Sequence, residues 1–348
     1  MRFNKILSFF FLCLPFMVIG QADSVWMTTQ GGLGIEEWNE VVLCDNGDLV
    51  MIGTTSSDLN AGNEIYIARV DSLHQCVWTK TIGEWGVEKG QDIIVDSSGT
   101  FWCLGTVNGA STDDYDGLLL HISADGEVLG NYSLSWPGFQ WGQKLAYDGA
   151  QTLGISLTTV NNGGGNDWIF CRFNISTFEW ESSQFSVLQP SLEITVTEWD
   201  SVNVQWFVAG NAEGVGGLSQ VMGWGIDTVG MEVWNNADDI NCFSLRVFDA
   251  LWKNGYWILA GSDFFGSNWR AQIIRWMPGQ AMEWMGSFAA TDGETLFHSI
   301  EHRSTGNGYV LGGWTYAMGA GLSDAYIHAF DDNFNWDGGA IFGGSKED

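Results

Sequence analysis

Leu49-Val50-Met51-Ile52-Gly53-Thr54 is a short apolar run ending on a glycine, and the chain keeps returning to it. Phe101-Trp102-Cys103-Leu104-Gly105-Thr106, Phe207-Val208-Ala209-Gly210-Asn211, Trp257-Ile258-Leu259-Ala260-Gly261-Ser262 and Tyr309-Val310-Leu311-Gly312-Gly313 are copies. Leu153-Gly154-Ile155-Ser156-Leu157-Thr158 is a sixth, with Ser156 in the glycine's place. The anchors Gly53, Gly105, Ser156, Gly210, Gly261 and Gly312 are 52, 51, 54, 51 and 51 residues apart. A sustained period near fifty is the mark of a repeated structural unit.

The same internal order surrounds each anchor. A short alternating apolar run comes first, then a turn signal: Asp45-Asn46-Gly47, Ser97-Ser98-Gly99, Asp148-Gly149 or Asn254-Gly255. These read as two-residue hairpin turns. After the anchor come a polar loop, a third apolar run such as Glu64 to Val70, and a fourth run carrying Trp78, Trp180, Trp234, Trp284 or Trp336. Strand-length runs with no helical period between them predict an all-β β-propeller of six recognisable four-stranded blades. A radial ring also hides most strand edges, which sheets this apolar need.

Composition limits the partners. The chain has 348 residues, 42 acidic against 13 Lys and Arg, and a formal net charge of −29. Such a surface repels nucleic acid and anionic membrane. Hydrophobic residues make up 45% and charged residues 16%, with 20 Trp and 21 Phe, so the chain folds around a core and is not an acidic disordered tail. Arg2 and Lys5 precede an apolar stretch from Ile6 to Ile19 that gives way to Gly20-Gln21-Ala22-Asp23. This predicts a signal peptide over 1–22, leaving 23–348 as a single propeller domain, secreted, extracellular or held at the cell envelope. The stretch is short for a membrane span and holds Pro15, so no membrane insertion is expected. Cys44, Cys76, Cys103, Cys171 and Cys242 lack close spacing, which predicts mostly reduced, buried thiols and no metal cage.

Trp78-Thr79-Lys80-Thr81-Ile82-Gly83, the Asp-x-x-Gly-x-x-x-Trp unit from Asp227 to Trp234, and the closing Phe342-Gly343-Gly344-Ser345-Lys346-Glu347-Asp348 resemble secreted bacterial β-propeller repeat proteins. In those proteins a W-x-K-T-x-G-G strand ends each blade. The resemblance extends over residues 25–348 and implies the fold and an exported habitat, with no common reaction. Val25 to Gly32 matches the fourth strand Val77 to Gly83. Residues 25–31 are therefore expected at the outer edge of the blade formed by residues 296–342, the alternative being truncation from a seven- or eight-bladed parent.

In such a ring the loops joining second to third strands, and each blade to the next, share one face and are long here. A rigid scaffold with long loops on one face is where binding is placed. Asp113, Asp114 and Asp263, with Trp85, Trp136, Trp141 and Trp269, are the candidate binding residues for a cation, a polysaccharide or a protein ligand. No cofactor is expected; calcium is the one candidate, and the carboxylates lack the spacing of a calcium loop. The tryptophans also read as packing wedges between blades. Glu64, Asp116, Asp167 and Asp324 recur before the third strand, which points to a structural role accepting backbone N–H groups. Arg69, Arg172 and Arg275 recur at one position and are expected to neutralise neighbouring carboxylates.

His298-Ser299-Ile300-Glu301-His302 has the H-x-x-E-H pattern of helical zinc sites. The repeat puts it on a strand, where residues four apart stand about 13 Å from each other, too far for two imidazoles on one ion at about 2.0–2.1 Å. No metal site is expected there. Without a nucleophile elbow or phosphate loop, the expectation is a binding or interaction module and not an enzyme. The alternatives are a propeller enzyme, a glycoside hydrolase or quinoprotein-like dehydrogenase, or a structural spacer of a surface protein. An enzyme requires residues unique to single blades converging on the ring axis.

Overall fold

The computed structural model describes residues 31–57, 62–83, 86–108, 115–135, 138–160, 166–185, 191–213, 219–237, 244–265, 268–288, 294–303, 307–316 and 323–343. Six sheets follow one another along the chain, each with four antiparallel strands in simple sequential order. Blade 1 runs Glu36–Leu43, Leu49–Thr55, Gly62–Val70 and Cys76–Ile82. Blade 2 starts with Lys89–Val95, blade 3 with Phe139–Tyr147, blade 4 with Ser191–Asp200, blade 5 with Leu245–Lys253 and blade 6 with Thr295–His302. These first strands meet around the axis, and the six sheets form a six-bladed β-propeller. The second and third strands are covered on both faces, which is why they read as near-continuous apolar runs: Val50, Ile52, Ile65 and Ile67 are all fully buried. Outer strands such as Cys76–Ile82 alternate between exposed and half-buried residues.

Every first strand carries a register shift at the same point: Trp38/Glu40, Gly90/Asp92, Gly142/Lys144, Ile194/Val196, Val247/Asp249 and Phe297/Ser299. The extra residue of such a bulge bends the strand. Its backbone then presses on the strand beside it, and this explains the anchor glycine. A Cβ on Gly53 would lie 1.9 Å from the Glu37 carbonyl oxygen, and one on Gly261 would lie 2.3 Å from that of Arg246. The register corrects two anchors. Leu157 stands opposite Gly142, and Gly313 opposite Phe297, so Ser156 and Gly312 are each one residue early. In blade 3 the glycine is on the first strand instead.

The turns also differ from the two-residue reading. Asn254-Gly255, both at positive φ, is a two-residue connection between the paired Lys253 and Tyr256. At Asp45-Asn46-Gly47 and Ser97-Ser98-Gly99 only the glycine has positive φ, and the closing bonds are Cys44 N–H to Asp48 O, 2.8 Å, and Asp96 N–H to Thr100 O, 2.9 Å. At Asp148-Gly149 it is again the glycine that has positive φ, with Asp148 N–H bonded to Thr152 O at 3.0 Å. These three are three-residue loops, since each closing bond encloses three residues and the positive φ falls on a single glycine.

Consecutive blades are glued by apolar clusters at the five junctions from 1/2 to 5/6. The residue two past the bulge residue packs back on the preceding blade: Ile93, Leu145, Thr197, Ala250 and Ile300 are at most 5% exposed. Its blade 1 counterpart, Val41, is 51% exposed. On blade 6, Ile327 is 39% exposed, while Ile67, Leu119, Phe170 and Ile273 at the same position are buried. The 6/1 junction thus lacks the apolar seal of the others at these two positions. Residues 25–30, expected to close the ring, lie outside the described residues, as does the predicted signal peptide. No helix among the described residues is long and apolar enough to cross a membrane. Cys103 and Cys171 are buried free thiols, as expected, whereas Cys76 is exposed and Cys44 half-buried.

Candidate functional site

The bulges decide what faces the axis. Immediately after the bulge residue stand Glu40, Asp92, Lys144, Val196, Asp249 and Ser299; two residues further along the same face stand Val42, Ile94, Ala146, Glu198, Leu251 and Glu301. A cavity of about 300 Å³ lies among them, walled by the charged groups Glu40, Asp92, Lys144, Glu198, Asp249 and Glu301. Five carboxylates and one ammonium, from six different blades, therefore converge at the centre of the ring.

Two of the carboxylates are locked in place. Asp92 accepts Ile93 N–H at 2.8 Å on one oxygen and Leu145 N–H of the next blade at 2.7 Å on the other. Asp249 repeats this with Ala250 N–H and Ile300 N–H, both at 2.8 Å. Lys144 Nζ is bonded to Glu40 Oε2 at 2.9 Å, spanning from blade 3 to blade 1, and keeps a quarter of its side-chain surface open. Burial alone would favour the neutral amine, but Asp92 and Glu40 outweigh it and hold Lys144 charged.

Glu198 has none of these supports. No described residue donates a hydrogen bond to its carboxylate. Burial, then the charges of Asp249 and Asp92, push its pKa up to about 8 against the opposing pull of Lys144, and Glu301 adds to the rise. Burial likewise raises Asp92, and raises Asp249 to about 6 despite its two backbone donors. At neutral pH the cavity therefore holds a protonated carboxyl at Glu198 beside ionised groups. Glu198 and Glu301 share one register position, and only blades 4 and 6 carry a carboxylate there.

Of the predicted binding residues that are described, Asp263 and Trp269 lie on neighbouring strands of blade 5 and Trp141 lies in blade 3. Trp141 in blade 3 is half-buried and stacks on Phe139 at 5.7 Å and Tyr115 at 6.2 Å. Trp269 in blade 5 lies under the Arg246 guanidinium at 5.0 Å and meets Phe264 edge-on. Asp263 is 2% exposed and paired with Arg270. Trp85, Trp136, Asp113 and Asp114 lie outside the described residues. His298 and His302 are on the strand Thr295–His302, and their rings meet different partners: Phe248 and Trp314 for the first, Tyr309 for the second. Arg69, Arg172 and Arg275 pair with Asp48, Glu181 and Glu283. The backbone-accepting role expected for the recurring carboxylates is not seen at Asp116 and Asp324, whose buried Oδ1 atoms have no hydrogen-bond partner.

Glu40, Asp92, Lys144, Glu198, Asp249 and Glu301 were missed by sequence reasoning. Their signal is a charge inside an otherwise apolar run, as in Asp92-Ile93-Ile94 or Asp249-Ala250-Leu251. It is visible only once the first strands are aligned on their bulges.

Comparison with protein-family models and with curated proteins gives no match. Solved structures do share the fold. An ulvan lyase, a polysaccharide lyase, superposes with a TM-score of 0.55 at 12% identity, covering 88% of this chain and 78% of that one. An apocarotenoid oxygenase of Synechocystis gives 0.52 at 11%, covering 87% and 71%. An acylaminoacyl peptidase of Pyrococcus horikoshii gives 0.51 at 8%, covering 90% of this chain and 46% of that one. At these identities the likeness is one of fold. It nevertheless corrects the expectation that this protein is not an enzyme, because these three structures of the same fold are enzymes; a protein of unknown function from Dyadobacter fermentans shares the fold as well, with a TM-score of 0.53 at 10% identity, covering 90% of this chain and 94% of that one. The missing catalytic motif was no safeguard either, since the axial groups come from separate blades and form no motif in sequence.

Proposed function

We propose that this protein is an exported β-propeller that binds a neutral, hydroxyl-rich substrate at the ring axis and acts on it by acid–base chemistry. The observation that carries the reading is the pair Glu198 and Glu301, one layer of the axial cavity, with Glu198 protonated at neutral pH. A carboxylic acid kept neutral near pH 7 is a proton donor, and a carboxylate across the cavity is an acceptor. On a saccharide, Glu198 gives its proton to the leaving glycosidic oxygen while Glu301 takes one from the attacking water, the division of labour of carboxylate pairs in glycoside cleavage. Lys144 supplies a fixed positive charge that pulls the pKa values of Asp92, Asp249 and Glu198 down against their burial. A polyanionic substrate is disfavoured by the charge of −29.

The test is reducing-end release from laminarin, xylan and galactan by the mature protein, with Glu198→Gln and Glu301→Gln in parallel. Cleavage of one polymer, falling at least about 100-fold in each variant, is the expected result. Its rate should decline above about pH 8 as Glu198 loses its proton. Cleavage untouched by both substitutions, or no cleavage of any neutral polymer, contradicts the reading.

A further inference from the structure

Blade 5 holds a second group of buried polar residues, away from the axis. Opposite the anchor glycine the third strands carry Tyr66, Leu118, Ile169, Met222 and Tyr326, but blade 5 carries Gln272. Two residues past the anchor the second strands carry Thr55, Val107, Thr159, Ala212 and Thr315, but blade 5 carries Asp263. Gln272 brings an amide to a position that has none in the other blades and Asp263 a charge to one that is elsewhere uncharged, and both are buried: Gln272 is 1% exposed and Asp263 2%. A repeat that packs well without them gives no packing reason for them here.

They form one network. Gln272 Nε2 donates to Asp263 Oδ1 at 2.6 Å and to Ser287 Oγ at 2.9 Å. Arg270 Nε donates to Asp263 Oδ1 at 3.0 Å, and a second guanidinium nitrogen bonds Oδ2. Gln272 Oε1 has no donor. Leaving a buried amide oxygen unmatched is costly, so its retention asks for a partner. The network forms the wall of a cavity of about 390 Å³ with Met285 and Gly286, within the range of roughly 300–1,000 Å³ typical of small-ligand sites.

We propose that this cavity is a binding site for a neutral sugar residue. Arg270 cancels the charge of Asp263, so the wall carries no net charge and gives no preference to an ion. What it offers is an unmatched acceptor on Gln272, a hydroxyl on Ser287 and an apolar patch at Met285. Vicinal hydroxyls, each both donor and acceptor, match that set. The site stands independently of the axial reading, since it shares no residue with that cavity.

The test uses the mature protein with 13C-labelled methionine methyls, titrated with glucose, galactose, N-acetylglucosamine and, as an anionic control, glucuronate. A neutral sugar should shift the Met285 methyl resonance saturably. Gln272→Leu, which installs the blade 2 residue, should weaken that binding about tenfold or more, as loss of hydrogen bonds at a polar site does. If that variant does not fold, Ser287→Ala should weaken it in the same direction. Binding at the axis alone would leave Met285 still and overturn this proposal while sparing the axial one. Preference for glucuronate, or unchanged affinity in a folded Gln272→Leu variant, also overturns it.

Discussion

Asp92 and Asp249 face the same axial cavity as Glu198 and Glu301, yet the two pairs are built differently. Each aspartate spends both oxygens on backbone N–H groups, one from its own strand and one from the next blade, and so staples blade 2 to blade 3 and blade 5 to blade 6. Both stand immediately after a bulge, where the strand's backbone donors are displaced from the ladder. The glutamates stand two residues further along their strands, past the register shift, and neither bonds to a described residue of the next blade. A carboxylate with no structural partner gains nothing from being ionised, and burial then keeps a proton on Glu198. One axis therefore carries two staples that hold the ring, one glutamate, Glu301, that takes only the N–H of its strand neighbour His302 at 2.9 Å, and one, Glu198, to which no described residue donates.

The substitutions separate these roles. Glu198→Gln should have the largest effect, the loss of at least about 100-fold in turnover described above, with thermal stability unchanged or raised, because the amide replaces a buried acid at nearly constant shape. Asp92→Asn and Asp249→Asn should do the reverse. Each turns one acceptor oxygen into a donor facing an N–H group and should cost about 1–3 kcal/mol, read as a lower midpoint in denaturant unfolding. If the asparagine variants are as stable as the parent, the staples are not holding the blades.

The smallest effect is on pH dependence. Glu198, Asp92 and Asp249 all have folded-state pKa values above their ordinary ones, so the native chain holds protons that the unfolded chain releases. Their contribution to stability is fully present below about pH 4, the unfolded carboxylate range. It is lost as pH rises through the folded values of about 6 for Asp249 and about 8 for Glu198. The unfolding midpoint should therefore decline from pH 5 to pH 9, and decline less in Glu198→Gln. A midpoint rising over that window would show these acids to be ionised in the fold.

The ring was legible because period carries it: a glycine-ended apolar run every fifty-odd residues reports a blade whatever the loops contain. The same signal misplaced two anchors, at Ser156 next to Leu157 and at Gly312 next to Gly313, because adjacent residues fit the spacing equally and only pairing partners tell them apart. The axial groups stayed hidden for a related reason. A bulge shifts the alternation by one without leaving a residue type behind, since the bulge positions are Asn39, Gln91, Gln143, Thr195, Phe248 and His298. Asp263 was legible as a loop-side carboxylate. Its buried partner Gln272 was not, because an amide within an apolar strand carries no signal until blades are compared residue by residue.

The most direct test of the central claim is the titration of Glu198 itself. Side-chain carboxyl 13C shifts of the mature protein, assigned by comparison with Glu198→Gln, should show one glutamate titrating near pH 8. A Glu198 resonance that titrates with the exposed carboxylates, near pH 4.3 as unperturbed glutamate does, would mean that no proton is held at the axis and would remove the basis for acid–base chemistry there.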